Sequence, residues 1–93
     1  MTHWLDDVSK RAMRYTNEID ERAVFPSDEA LEALSQFDEA FPEKSTELDA
    51  VIAQLDELGA AATVATTGPR YFGFVQGGIL PTALAATWLT TAW

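Results

Sequence analysis

All fifteen acidic side chains of this 93-residue chain lie before residue 60, while residues 60–93 carry a single charge, Arg70. No other feature constrains the fold as tightly. An apolar stretch of 34 residues is not stable in water by itself, so it must pack on the acidic half, enter a membrane, or meet a further surface. The length allows one small domain, and small domains bury proportionally little surface. With no cysteine, neither a disulfide framework nor a thiolate zinc site can compensate. A formal charge of −9 argues against nucleic-acid binding, which depends on clustered Lys and Arg. The start, Met1-Thr2-His3-Trp4-Leu5-Asp6-Asp7, lacks the order of a secretory signal and is too acidic for a transit peptide, so a cytoplasmic location is expected.

The acidic half reads as three helices. Residues 3 to about 22 place Trp4, Val8, Ala12, Tyr15 and Ile19 along one face, with charges on the other. After Pro26, Ser27 is an N-cap candidate for a short helix with Asp28 and Glu29 in its first turn and a buried stripe of Leu31, Leu34 and Phe37. Pro42 ends that segment. Thr46 and Asp49 resemble a capping box for a helix over about 47–58, and Gly59 suits its C-cap.

The apolar half is less regular. Residues 60–67 are small and uncharged and fit either a helical turn or extended chain. Gly68-Pro69 marks a turn, and Arg70 to Gln76, with Tyr71, Phe72, Phe74 and Val75, favours an extended segment broken by Gly77-Gly78. Pro81 suits the first position of a last helix, in which Leu84, Ala85, Trp88, Leu89 and Ala92 keep helical spacing to Trp93. That helix shows no stop signal. Its large side chains, left in water, would forfeit roughly 1.5–3 kcal/mol each. The expectation is therefore two regions, an acidic helical arm (1–59) and an apolar linker, aromatic loop and helix start (60–93) of a larger protein.

Candidate chemistry is sparse. His3 has Asp6 and Asp7 at helical spacing, but it is the only histidine, and a two-histidine helical metal site needs a second. The doublets Asp6-Asp7, Asp20-Glu21, Asp28-Glu29, Asp38-Glu39 and Asp56-Glu57 read as solvated helix surface. Gly73, Gly77 and Gly78 form no phosphate-binding fingerprint. Residues 71–93 are 23 uncharged positions, long enough to span a bilayer, and Gly73 and Gly77 have small-xxx-small spacing. Against a span stand Gly77-Gly78, Pro81, Gln76 and the threonines Thr82, Thr87, Thr90 and Thr91. Three aromatics in four residues ahead of Gly-Gly suit either a core strand or the wall of a ligand pocket, with Arg70 available to clamp a carboxylate.

On this last block, Gly68-Pro69-Arg70-Tyr71-Phe72-Gly73-Phe74-Val75 and Gly78-Ile79-Leu80-Pro81, the chain resembles the group II pyridoxal-phosphate-dependent decarboxylases, the aromatic-amino-acid and glutamate decarboxylase family of aspartate-aminotransferase-like lyases. The resemblance extends to Asp20-Glu21-Arg22, Val24-Phe25-Pro26-Ser27 and Leu55-Asp56-Glu57-Leu58-Gly59. Many members carry His-Pro-x-Phe where this chain has Gly68, which leaves the substrate open.

The resemblance implies a mostly α amino-terminal segment of a fold-type-I enzyme, in which helices wrap the partner subunit of a homodimer. It implies that Tyr71, Phe72, Phe74 and Val75 line the substrate side of the site and act by shape and orientation. The parent would use pyridoxal phosphate as an electron sink while an amino acid loses carbon dioxide, a step of carboxylic acid metabolism. Lys10 and Lys44 sit on or beside charged helical segments, so the cofactor's lysine, aspartate and phosphate loop would lie after Trp93. An aminotransferase of the same cofactor fold is one alternative. The other, from a different class, is a small interaction protein with an acidic helical head and a membrane- or partner-binding apolar tail.

Overall fold

The computed structural model describes residues 3–73 and 77–93. It is mostly helical, with no strand among the described residues: α1 (His3–Glu18), α2 (Asp28–Ala33) running into a 3-10 turn (Leu34–Phe37), α3 (Leu48–Gln54), and α4 (Pro81–Ala92). Between α3 and α4 the chain passes through a wide π turn (Leu55–Gly59) and a tight 3-10 turn (Ala60–Ala62).

Local chemistry explains most of these elements. Trp4, Val8, Ala12, Tyr15 and Ile19 are all half-buried, as their spacing predicts. α1 stops at Glu18, short of the expected residue 22, and the chain leaves it through a turn in which the Glu18 carbonyl accepts from the amides of both Glu21 and Arg22. Ser27 caps α2 by accepting the Ala30 amide at 3.1 Å, with Asp28 and Glu29 in the first turn. Pro81 opens α4 at its first turn.

Three local expectations are corrected. Thr46 and Asp49 form no capping box: Glu47 occupies the N-cap of α3 without a side-chain hydrogen bond. Gly59 does not end its helix. It sits in ordinary right-handed conformation (φ −72°), and the helical path runs on to Ala62 before Thr63 turns extended. Leu31, Leu34 and Phe37 are not a buried stripe, since all three stay exposed while Ala30 and Ala33 are half-buried. Tightening into the 3-10 turn after Ala33 changes the side-chain spacing from 3.6 to 3.0 residues per turn and breaks that stripe.

Residues 60–67, open in sequence, begin as the 3-10 turn and then form a linker whose Ala65 amide donates to the Val24 carbonyl at 2.8 Å. Ala65 is the sole fully buried residue among those described, at 2% exposure. The centre of packing is thus the junction of the end of α1 with residues 63–68. Expected as extended, residues 70–73 are turn and irregular chain, while Phe74, Val75 and Gln76 lie outside the described residues.

The solvent-accessible surface of 7530 Å² exceeds the roughly 5300 Å² typical of a compact monomer of this mass. A radius of gyration of 15.2 Å, against about 12 Å for a compact chain of this length, says the same. The three short helices do not consume their apolar stripes on one another.

Candidate functional site

The resemblance-bearing loop is fastened at its base. Val24 accepts from Ala65, the Gly68 amide donates to the Ala65 carbonyl at 3.1 Å, and the Arg70 guanidinium donates to the Arg22 carbonyl. Gly68 lets the chain approach closely here. A Cβ there would meet Ile19 Cγ1 at 3.2 Å and the carbonyl oxygens of Ala65 and Ile19 at 3.3 Å. A Cβ on Gly73 would overlap the Tyr71 phenol, which folds back over that glycine. Beneath the loop lies a cavity of about 370 Å³ lined by Thr16, Ile19, Asp20, Thr67, Gly68, Pro69, Gly78 and Ile79.

Of the residues assigned to the substrate-side wall, Tyr71 is half-buried and Phe72 is 91% exposed. Phe74 and Val75 lie outside the described residues. Arg70, considered as a carboxylate clamp, instead spends a donor on the backbone of Arg22 and so ties the loop to the turn that follows α1.

A second feature was not anticipated from sequence. Arg11, Arg14, Tyr15, Glu18, Arg22, Asp56 and Glu57 line a groove of about 450 Å³ between α1 and the π turn. Arg11 bridges Asp7 (3.1 Å) and Asp56 (2.8 Å), and Arg14 stands 4.0 Å from Asp56. With side-chain exposures of only 19% and 22%, the Arg11–Asp56 pair is part of the packing. Asp56, read as solvated surface, is corrected on this point. Hydrogen bonds that the Arg11 guanidinium donates, first to Asp56 and then to Asp7, hold it above its ordinary pKa. Arg22 stacks on Tyr15, 4.5 Å from the ring centre, and donates to the Ala60 carbonyl, while the Tyr15 hydroxyl meets Thr63 Oγ1 at 2.8 Å. The Asp7–Arg11 spacing of four was visible in sequence, but Asp56, 45 residues away from Arg11, was not.

Trp88 of α4 lines two apolar grooves that open between α4 and α1: one with Ala12, Met13 and Leu84, the other with Trp4, Leu5 and Val8. The hydroxyls of Thr87, Thr90 and Thr91 bond back to the carbonyls of Ala83 and Thr87, which removes their polarity from the helix surface. No helix among the described residues is long and apolar enough to cross a membrane.

Among the described residues no acid–base or nucleophilic constellation is assembled. His3 stands 3.7 Å from Asp49, not beside Asp6 or Asp7 as ligands, and no metal-binding group of acids and histidine occurs among the described residues. Lys10 and Lys44 are exposed and line none of these grooves, so neither offers the enclosed setting that pyridoxal phosphate requires of its lysine. The described residues do not fit that cofactor. No protein-family model, curated protein or solved structure matches the chain.

Proposed function

We propose that the chain is an amino-terminal part of a cytoplasmic pyridoxal-phosphate-dependent amino-acid decarboxylase, contributing dimer contacts and part of the substrate pocket and inactive alone. The observation that supports this reading is the aromatic loop. Its base is tied to the segment after α1 by two hydrogen bonds, Ala65 amide to Val24 carbonyl and Arg70 guanidinium to Arg22 carbonyl, while Phe72 stands in solvent, an arrangement suited to a pocket wall completed by another surface. The cofactor's own ligands belong to residues outside this chain, since Lys10 and Lys44 are unsuited to it.

The test is product analysis on the natural protein that carries this sequence. Release of carbon dioxide and an amine from an amino acid is expected. Exchange of the amino group with a keto acid would instead assign an aminotransferase, and neither product would overturn the reading. In the same protein, Phe72→Ala is expected to raise KM about tenfold or more with cofactor content unchanged, the scale of losing one large apolar contact.

The apolar surface of α4, with Trp93 89% exposed, favours a second reading, an interaction protein with an acidic head and an apolar tail. Carbonate extraction separates the two. Retention of the protein in the membrane pellet would contradict the decarboxylase assignment.

A further inference from the structure

From Leu34 to Val51 every residue is exposed, an excursion of 18 positions that crosses the 3-10 turn, the loop and the start of α3. It carries Asp38, Glu39, Glu43, Glu47 and Asp49 against Lys44 alone. Set among these acids are Leu34, Phe37, Phe41, Leu48 and Val51, all exposed, with Phe41 at 96%. A phenylalanine so fully in water forfeits most of its transfer free energy, and Pro42 behind it stiffens the backbone that presents it. Solvation alone accounts for the acids. It does not account for Phe41, at 96%, and Leu48, at 50%, standing in water along the same acidic segment, whereas Leu34, Phe37 and Val51, at 37–38%, are covered over most of their area.

We propose that residues 34–51 dock, with Phe41 as anchor, into an apolar groove rimmed by lysine and arginine on a protein partner. Charge complementarity selects this occupant over a second copy of the chain. Two such arms repel each other, and the chain has little basic surface to offer. Arg11, Arg14 and Arg22 share their groove with Glu18, Asp56 and Glu57, Arg70 is turned to the Arg22 carbonyl, Lys44 belongs to the arm itself, and among the described residues Lys10 is the one cation left. Opposite charge on the partner's rim speeds encounter and fixes register, while the buried anchor supplies affinity. The inference stands on exposure and charge and does not depend on the decarboxylase reading. Product analysis and the binding test below therefore fail separately.

Two synthetic probes test it against the full chain by fluorescence titration: an amphipathic leucine/lysine helical peptide and a polylysine of equal charge. The leucine/lysine peptide is expected to bind more tightly than polylysine, and to weaken as salt shortens the screening length. Phe41→Ala is expected to cost about tenfold in affinity for the leucine/lysine peptide, the scale of one lost apolar anchor. Its circular dichroism should match that of the unaltered chain, because Phe41 touches so little. Trp93→Ala, at the exposed end of α4, should leave the affinity unchanged. Equal binding of polylysine, an unchanged affinity in Phe41→Ala, or an equal loss in Trp93→Ala would each overturn the proposal. So would sedimentation showing a dimer of the chain that Phe41→Ala dissolves.

Discussion

Arg11 is the residue on which the acidic half turns. It joins Asp7 within α1 to Asp56 across 45 residues, so one guanidinium fixes the angle at which the π turn meets the first helix. Arg11→Gln and Asp56→Asn are each expected to lower the thermal midpoint, and the double variant should be no less stable than the worse single one, because all three lose the same contact. Additive losses in a thermal unfolding series would contradict this. The raised pKa of Arg11 gives the sign of its pH dependence. A group whose folded pKa lies above its unfolded value contributes fully below the unfolded value and loses that contribution as pH rises through the folded one. The contribution of Arg11 is therefore intact at neutral pH and fades only in strongly alkaline solution. Gly68 is the second decisive residue, wedged between Ile19 and two carbonyl oxygens. Gly68→Val should destabilise the chain by about 1–3 kcal/mol in a denaturant melt, the usual cost of overpacking. An unchanged midpoint would show that the loop does not sit against Ile19.

At the scale of elements, what could be read in the sequence depended on range. Ser27 and Pro81 act within their own helical turns, and both perform as their positions predict. Ser27→Ala is expected to cost about 0.5–2 kcal/mol, read from thermal unfolding, whereas Ser27→Asp should be tolerated. Gly59 failed as a stop because its neighbours are held from afar. Arg22 and Thr63 both donate to the Ala60 carbonyl, and Tyr15 meets Thr63, so the backbone stays helical past the glycine. The same distance hid the mixed-charge groove: nothing local to Arg11, Arg14 or Asp56 announces that they meet. The stripe of Leu31, Leu34 and Phe37 was misread for another reason. Helical spacing marks which residues share a face, but burial requires an opposing element of sufficient size, and the short turns of residues 55–62 that face α2 and its 3-10 turn leave Leu31, Leu34 and Phe37 partly in water. In α4 the threonines looked like polar interruptions, yet three of the four turn their hydroxyls onto backbone carbonyls.

The whole molecule is a small folded junction with apolar surface left over. Among the described residues one alanine is fully buried, and the roughly 2000 Å² of surface beyond that of a compact monomer amounts to the area of a substantial protein interface. The charge division read first in the sequence is therefore not resolved by packing the apolar half on the acidic half. An apolar fluorescent dye such as ANS is expected to bind the isolated chain without denaturant, and a dark dye would contradict so open a surface. The decarboxylase reading supplies a covering surface and places the cofactor beyond these residues. Borohydride fixation of the natural protein followed by peptide mass mapping tests that most directly. The account predicts a pyridoxyl adduct on one lysine outside residues 1–93. An adduct on Lys10 or Lys44, or no adduct at all, would contradict it.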